Sequence, residues 1–286
     1  MLRSTLSREA ENMKLTCATY NILRGHNSKE ILENILFLAA EGADVICLQE
    51  AEKPFEAQLR KILHHDALRT WEARFAHAGQ NGDVATLWNA QKLDLKKADI
   101  VVLPKMRILR SLRMERMARR WNRLAIVTEF DVAGGVLQVT NAHLAWEGGS
   151  RHRMYQLRHL RAAIMATPAE YRIVAGDFNT VAMRPMRRLH ERRVEKVLGE
   201  EFRNAFPRLP WTFDLSNIPQ PPGARVTATL ARAGLRWRQR FDYMFSSGMH
   251  MLQGRMHDLP GSDHRPLIAT FSLLPVKQGL QLSDSN

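Results

Sequence analysis

The chain has 286 residues and a mass of 32.8 kDa, 45% hydrophobic and 25% charged. That composition excludes a disordered tail, a collagen and a coiled coil, and the length suffices for a core without staples. Two cysteines, Cys17 and Cys47, both in apolar runs, exclude a disulfide scaffold and a cysteine-built zinc module. Lys plus Arg number 42 against 29 Asp plus Glu, a net +13, and the excess is concentrated in 105–123, 184–193 and 225–240.

Leu15–Tyr20 reads as a strand that ends at the polar Asn21. Ser28–Ala40 has apolar residues at helical spacing behind a Ser cap, with Gly42 as its stop. Val45–Leu48 is a buried strand. Pro54 opens a second helix with Phe55, Leu59, Ile62 and Leu63 as its stripe. Short strands fill Asp83–Val102. Leu124–Phe130 and Val136–Asn141, separated by Ala-Gly-Gly, read as a hairpin. Arg153–Ala166 is a helix with Leu157, Leu160 and Ile164 inward, and Arg172–Ala175 is a short strand. A Pro-rich loop over 216–223 precedes the last strands, Arg240–Phe245 and Leu267–Ser272.

The strand–helix–strand pattern of the first half returns after residue 136. This predicts two similar layers face to face in one α/β domain over 14–274. Residues 1–13 read as an N-terminal extension and 275–286 as a polar tail. No apolar run reaches the 18 or so residues of a membrane span, and the N-terminus lacks an apolar signal core. A cytoplasmic location is the expectation, with a monomer as the default.

Six strand ends or starts carry an acid, amide or imidazole: Asn21, Gln49-Glu50, Asn141-Ala142-His143, Gly176-Asp177-Phe178-Asn179, Asp242 and Ser262-Asp263-His264. Polar groups at strand ends stand at a sheet rim, where chemistry is placed. Carboxylates and amides without cysteine favour a hard ion, Mg²⁺ or Mn²⁺. Two histidines with nearby aspartates suit acid–base work near neutral pH. An ion, such histidines and surrounding arginines together describe phosphoester hydrolysis. No GxSxG, GxxxxGK[ST] or HExxH occurs, which disfavours a serine hydrolase, an NTP-driven motor and a zinc protease.

In this order the six endings resemble the endonuclease/exonuclease/phosphatase (DNase I-like) superfamily. The motifs are Thr19-Tyr20-Asn21, Leu48-Gln49-Glu50, Asn141 to Leu144, Gly176 to Asn179, Arg240 to Tyr243 and Ser262 to His264. The resemblance implies a two-layered, mostly antiparallel β-sandwich flanked by helices, with the site at one rim between the sheets. It implies Glu50 as principal Mg²⁺ ligand, with Asn21 beside it and Asp263 close to the metal. Asp177 and Asn179 resemble the pair that orients water and phosphate. His143 resembles a phosphate-contacting histidine, His264 lies near the scissile phosphate, and Asp242 resembles the carboxylate that orients a histidine. Whether His264 or Asp177 takes the proton from water stays open. Leu-Gln-Glu-Ala-Glu and the Asn-Ala-His-Leu histidine depart from abasic-site enzymes. Thr-Tyr-Asn and Trp211 to Asp214 look more like the tyrosyl-DNA phosphodiesterase and sphingomyelinase-like branches.

The arginines suggest a polyanionic partner, because the guanidinium fork matches phosphate. Relatives often place a phosphate-side arginine where Arg123 stands. In 105–123, Arg113, Arg116, Arg119 and Arg120 read as phosphate grips of a nucleic-acid groove. Ile108, Leu109, Leu112, Met114, Met117 and Trp121 interleave with them, so a segment for an anionic lipid surface is an alternative. A helix covering the sandwich is a third. The expectation is an Mg²⁺-dependent phosphodiesterase acting on nucleic acid. The alternatives are a phospholipid or inositol-phosphate hydrolase and a non-catalytic nucleic-acid-binding relative.

Overall fold

The computed structural model describes residues 13–64, 66–78, 82–105, 122–133, 135–147, 149–180, 184–215 and 237–274. The expected extension, apart from Met13, and the expected tail fall outside these residues, as do Arg113, Arg116, Arg119, Arg120 and the Pro-rich loop.

Two six-stranded sheets pack face to face. The first takes β1 (Lys14–Asn21), β2 (Val45–Gln49), β3 (Trp71–Ala76), β4 (Val84–Asn89), β13 (Met249–Met256) and β14 (Leu267–Leu273), in the order β13-β14-β1-β2-β4-β3. The second takes β5 (Asp94–Leu103), β6 (Arg123–Val132), β7 (Gly135–His143), β8 (Tyr171–Asp177), β9 (Arg203–Asn204) and β12 (Asp242–Ser247), in the order β5-β6-β7-β8-β12-β9. A two-stranded pair, β10 (Phe213–Asp214) with β11 (Arg238–Gln239), forms a small third sheet bridged to His264 through Phe213. β1 pairs parallel with β2 and β7 with β8; all other pairings are antiparallel.

Each parallel pair is joined by a helix, as a parallel crossover requires. α1 (Ser28–Ala40) links β1 to β2 and α3 (Gly149–Met165) links β7 to β8; α2 (Lys53–Leu63) and α4 (Arg184–Leu198) lie beside them. Ser28, read as a cap, is instead the first helical residue, and its hydroxyl donates to the Gly25 carbonyl at 2.6 Å.

The central strands are buried on both faces, so they read as continuous apolar runs rather than alternating ones. Cys17, Val45, Cys47, Phe130, Val139, Ile173 and Phe271 fill the space between the sheets. The opposite faces of the same strands pack on helices: Ala18, Tyr20, Ile46 and Leu48 on Ile31, Ile35, Leu38 and Phe55, and Ala142, Val174 and Phe245 on Leu157, Leu160 and Val194. The result is four layers, helix–sheet–sheet–helix. Both cysteines are free and fully buried, as their apolar runs predict.

Two amides stitch the sheets together near one rim. Gln49 donates through Nε2 to Asn141 Oδ1 (2.8 Å), and Asn141 donates through Nδ2 to the carbonyls of Ala85 (2.8 Å) and Leu48 (3.0 Å). Both side chains are fully buried, so these bonds fix the relative height of the sheets. No helix among the described residues is long and apolar enough to cross a membrane.

Candidate active site

The parallel strands β1, β2, β7 and β8 all end at this rim, and β12 starts there. Register puts Asn21 opposite Gln49, His143 opposite Asp177, and Asp177 opposite Asp242. The loop before β14 returns to the same place: the Ser262 hydroxyl donates to the Asn21 carbonyl (2.7 Å) and accepts from the His264 amide (3.1 Å). The strand-end pattern read in the sequence is thus one cluster in space.

Asp177 is its centre. Oδ2 accepts from Asn21 Nδ2 at 2.9 Å, and Oδ1 accepts from the Asn179 amide at 2.8 Å. His143 Nε2 stands 3.7 Å and His264 Nε2 3.8 Å from Oδ2. Gly176 before it has φ +140°, and a Cβ there would strike the Ala142 carbonyl, so only glycine lets β8 lie this close to β7. On the far side of His264, Nδ1 meets Asp242 Oδ2 at 2.8 Å. Thr212 Oγ1 accepts from the Asp242 and Phe241 amides, both at 3.0 Å, and holds the start of β12.

Burial and charge set opposite protonation in the two histidines. Burial pushes His143 well below the ordinary imidazole range, and Arg123 and His264 push the same way. Burial opposes charge on His264 too, but Asp242, with Asp177 and Asp263 behind it, outweighs it and raises the group to about 10. His264 is therefore an imidazolium at neutral pH, and His143 a neutral ring. Burial raises Asp177 to about 6, opposed by His264 and reinforced by Asp242. Glu50 is raised to about 7, first by burial and then by the charge of Asp263. Asp263 is itself raised, again mainly by burial.

Glu50 follows β2 with φ 60°, in the left-handed region that costs a non-glycine residue about 1–3 kcal/mol. Leu23, Arg24 and Asn179 are the other described non-glycine residues with positive φ. All four lie at the ends of β1, β2 and β8, so the strained backbone is confined to the rim. Glu50 keeps 14% of its side chain exposed, whereas His143, Asp177 and His264 keep 6% or less. It is the carboxylate of this group that a solvent ion reaches first.

Of the residues expected from the sequence, Asn21, His143, Asp177, Asn179, Asp242 and His264 come together through these contacts. Asp263 joins them beside His264 in the loop before β14, and Glu50 stands close enough to feel the charges of Asp263, His264, Arg123 and Asp177. Arg123 is buried behind His143: its Nη1 lies 3.4 Å from Nε2, and its Nη2 donates to Glu147 at 3.2 Å. Its place is beside the histidine rather than in an open groove. Glu147 had no signal in the sequence beyond being an acid four residues after His143. An aromatic wall of Phe213 and Phe241 faces His264 with centroids 5.1 and 5.9 Å away. Arg24 reaches Glu52 at 3.4 Å and Glu50 at 4.0 Å.

The donor set fits a hard cation: amide and carboxylate oxygens from Asn21, Glu50 and Asp263, no thiol, and a Glu50–Asp263 repulsion that a cation would relieve. A second grouping, Asp177, Asp242 and His264, has ligand atoms within 4.8 Å of one another. There the imidazole is already tied to Asp242, which suits proton chemistry better than metal binding.

Rim geometry of this kind, at the end of a four-layer sandwich, defines the DNase I-like class of phosphoester hydrolases. Residues 18–264 match the model of the Endonuclease/Exonuclease/phosphatase family, and the chain belongs to that family. Among solved structures it is similar to D. rerio TDP2 complexed with single-strand DNA product, at 18% identity and TM-score 0.66, covering 91% of this chain and 99% of that one. An endonuclease/exonuclease/phosphatase from Bacteroides vulgatus aligns at 15% identity and TM-score 0.67, covering 92% and 100%. ANGEL2, a 2′,3′-cyclic phosphatase held with adenosine-2′,3′-vanadate, aligns at 16% identity and TM-score 0.63, covering 91% and 96%. No curated protein sequence matches.

Proposed function

We propose that the chain is a divalent-cation-dependent phosphodiesterase that acts on nucleic acid. One observation carries the reading: Asp177 lies within 4 Å of both rim histidines, one of them held as an imidazolium by Asp242. The nucleic-acid preference is supported by the +13 charge and by the TDP2 relative with its DNA product.

Asn21, Glu50 and Asp263 would hold Mg²⁺, or Mn²⁺ in its place. When bound, such an ion would neutralise charge on the phosphoryl and leaving oxygens. His264 already carries its proton, so it cannot take one from water. It instead faces the negative charge that builds on phosphorus oxygens in the transition state. Asp177 is then the proton acceptor for the attacking water. Each of its oxygens already accepts one hydrogen bond, Oδ1 from the Asn179 amide and Oδ2 from Asn21; Oδ2 is the one that faces both histidines, and it is the receiving atom. Neutral His143 donates a hydrogen bond to the phosphate, oriented by Arg123 and Glu147 behind it.

An Mg²⁺-supplemented screen over plasmid DNA, single-stranded DNA, RNA, 5′-tyrosyl DNA, sphingomyelin and inositol phosphates tests this reading. Cleavage of a nucleic-acid substrate, abolished by EDTA and by Glu50→Gln, is expected. Turnover of sphingomyelin or inositol phosphates alone would overturn the substrate class. Full activity in EDTA would overturn the cation.

A further inference from the structure

The two helical layers differ in charge. α1 and α2 together carry a net +1, whereas α3 has four arginines and no acid, and α4 has six basic residues against two acids. The second layer thus holds +8 of the protein's +13. Solubility alone does not call for such a segregation.

Between α3 and α4 lies a cavity of about 770 Å³ lined by Arg151, Arg158, Arg161, Arg193 and Lys196 over a partly apolar floor that includes Met154. Its walls are tied at both ends: Ser150 Oγ lies 3.3 Å from His190 Nδ1, and Arg161 Nε donates to the Leu198 carbonyl at 2.6 Å. Of the five cations, Arg161 is the one that reaches a carboxylate among the described residues, Glu201 at 3.3 Å. The groove is therefore preformed and its charge is largely uncompensated.

Its direction matters. β7 ends at the rim with His143, and α3 begins six residues later at Gly149, so α3 runs away from the rim; α4 follows β8 in the same sense. From Arg151 to Arg161 the helix advances about 15 Å, at about 1.5 Å per residue. Tyr155 is 53% exposed and sits four residues after Arg151 and three before Arg158, on the same helix face. A ring between two guanidinium groups is the arrangement that stacks a base while its phosphates are held.

We propose that the α3–α4 groove is a second, non-catalytic binding site for a single strand of nucleic acid whose scissile phosphate lies at the rim. It deepens the reading of the rim as a nucleic-acid phosphodiesterase and rests on it. A row of cations spread over about 15 Å matches a polymer with one charge per residue better than a lipid headgroup, whose charge is local. A cavity of about 770 Å³ has room for a stretch of one strand and not for a duplex.

The test uses the full chain and a variant carrying Arg151→Gln, Arg158→Gln, Arg193→Gln and Lys196→Gln, with Arg161 kept because it holds the Leu198 carbonyl. A fluorescent single-stranded oligonucleotide of about 20 residues should bind the variant at least ten-fold more weakly. Its log-affinity slope against log salt should flatten by about 2–3, at about 0.7 per lost contact. Turnover of bis(p-nitrophenyl) phosphate, which cannot reach the groove, should not change. In a second arm Ala162→Cys, on the groove floor, should be shielded from a maleimide by the oligonucleotide and not by a dinucleotide. Unchanged affinity and slope, or labelling indifferent to the oligonucleotide, would overturn the proposal. So would loss of binding to phosphatidylglycerol vesicles with oligonucleotide binding intact, which would give the groove to lipid. If the wild type binds the oligonucleotide through the groove but cleaves no nucleic acid, the rim reading fails and the groove survives.

Discussion

The two sheets share one pattern of pairing, antiparallel on both sides of a central parallel pair, yet they bring different chemistry to the shared rim. Asn21 at the end of β1 corresponds to His143 at the end of β7, and Gln49 corresponds to Asp177. Just past that position the first sheet adds Glu50. β4 starts where β12 starts, and each start carries an aspartate paired with a histidine: Asp83 with His77 Nδ1 at 2.9 Å, and Asp242 with His264 Nδ1 at 2.8 Å. The pairs differ at the other nitrogen. His77 Nε2 is closed by Glu56 at 2.5 Å, whereas His264 Nε2 stands 3.8 Å from Asp177 and keeps room for a reacting group. A histidine closed at both ends holds a loop; one closed at a single end can act. β1 and β2 of the first sheet thus bring Asn21 and Glu50 for a cation, the second sheet brings His143, Asp177, Asp242 and the basic helices, and the loop before β14 adds one group to each side, Asp263 and His264.

The comparison breaks most sharply at the two ends of the rim. Glu50→Gln and Asp242→Asn should each lower turnover by about two to four orders of magnitude, the first through the cation and the second through the charge on His264. Steady-state rates on the substrate found in the screen check this. Turnover by Asp242→Asn at the wild-type rate would detach the imidazolium from catalysis.

An effect of the same size on one side, and a stability change on the other, separates the two histidines. His264→Gln should slow turnover by about 10²–10⁴-fold, while His77→Gln should leave turnover near wild type. His77→Gln should instead lower stability by about 1–3 kcal/mol, because Glu56 and Asp83 lose a shared partner. Chemical denaturation and rates measured on the same samples decide. A catalytic loss in His77→Gln as deep as that in His264→Gln would erase the distinction.

The smallest effect is on pH. The cation-free folded protein holds a proton on Glu50 up to about 7, where an unfolded glutamate, at 4.5, has released it. The folded state therefore binds more protons between those values, and this group makes stability fall as pH rises through them. Glutamine has no such proton. In EDTA, Glu50→Gln should gain melting temperature relative to wild type between pH 5 and pH 8, and Mg²⁺ should narrow the gap. A gap that does not change with pH would mean that Glu50 is not buried against Asp263.

Much of this was legible in the sequence because the informative residues lie where strands end. Asn21, Glu50, His143, Asp177 and Asp242 each follow or open a run of apolar residues, and the repeated strand–helix–strand pattern gave the paired layers. The edges were less legible. β13 runs Met-His-Met-Leu-Gln-Gly-Arg-Met and buries only Met249, and β3 buries only its two ends, so neither shows a clean alternation. α4 buries Val194 and Leu198 beneath a charged surface, and its sequence reads first as a charge run. In the sequence Arg123 reads as a phosphate-side arginine; its burial depends on Glu147 and His143, which only the fold brings beside it. The left-handed backbone at Glu50 had no sequence signal; Asn179 is at least of the type that adopts it most readily after glycine.

The division of labour between the halves is tested most directly by calorimetric titration of Mg²⁺ into the wild type, Glu50→Gln and Asp242→Asn. The account predicts that Glu50→Gln loses the binding heat, whereas Asp242→Asn keeps it although its turnover is lost. The opposite pattern, binding intact in Glu50→Gln and gone in Asp242→Asn, would place the cation among Asp177, Asp242 and His264 and contradict the account.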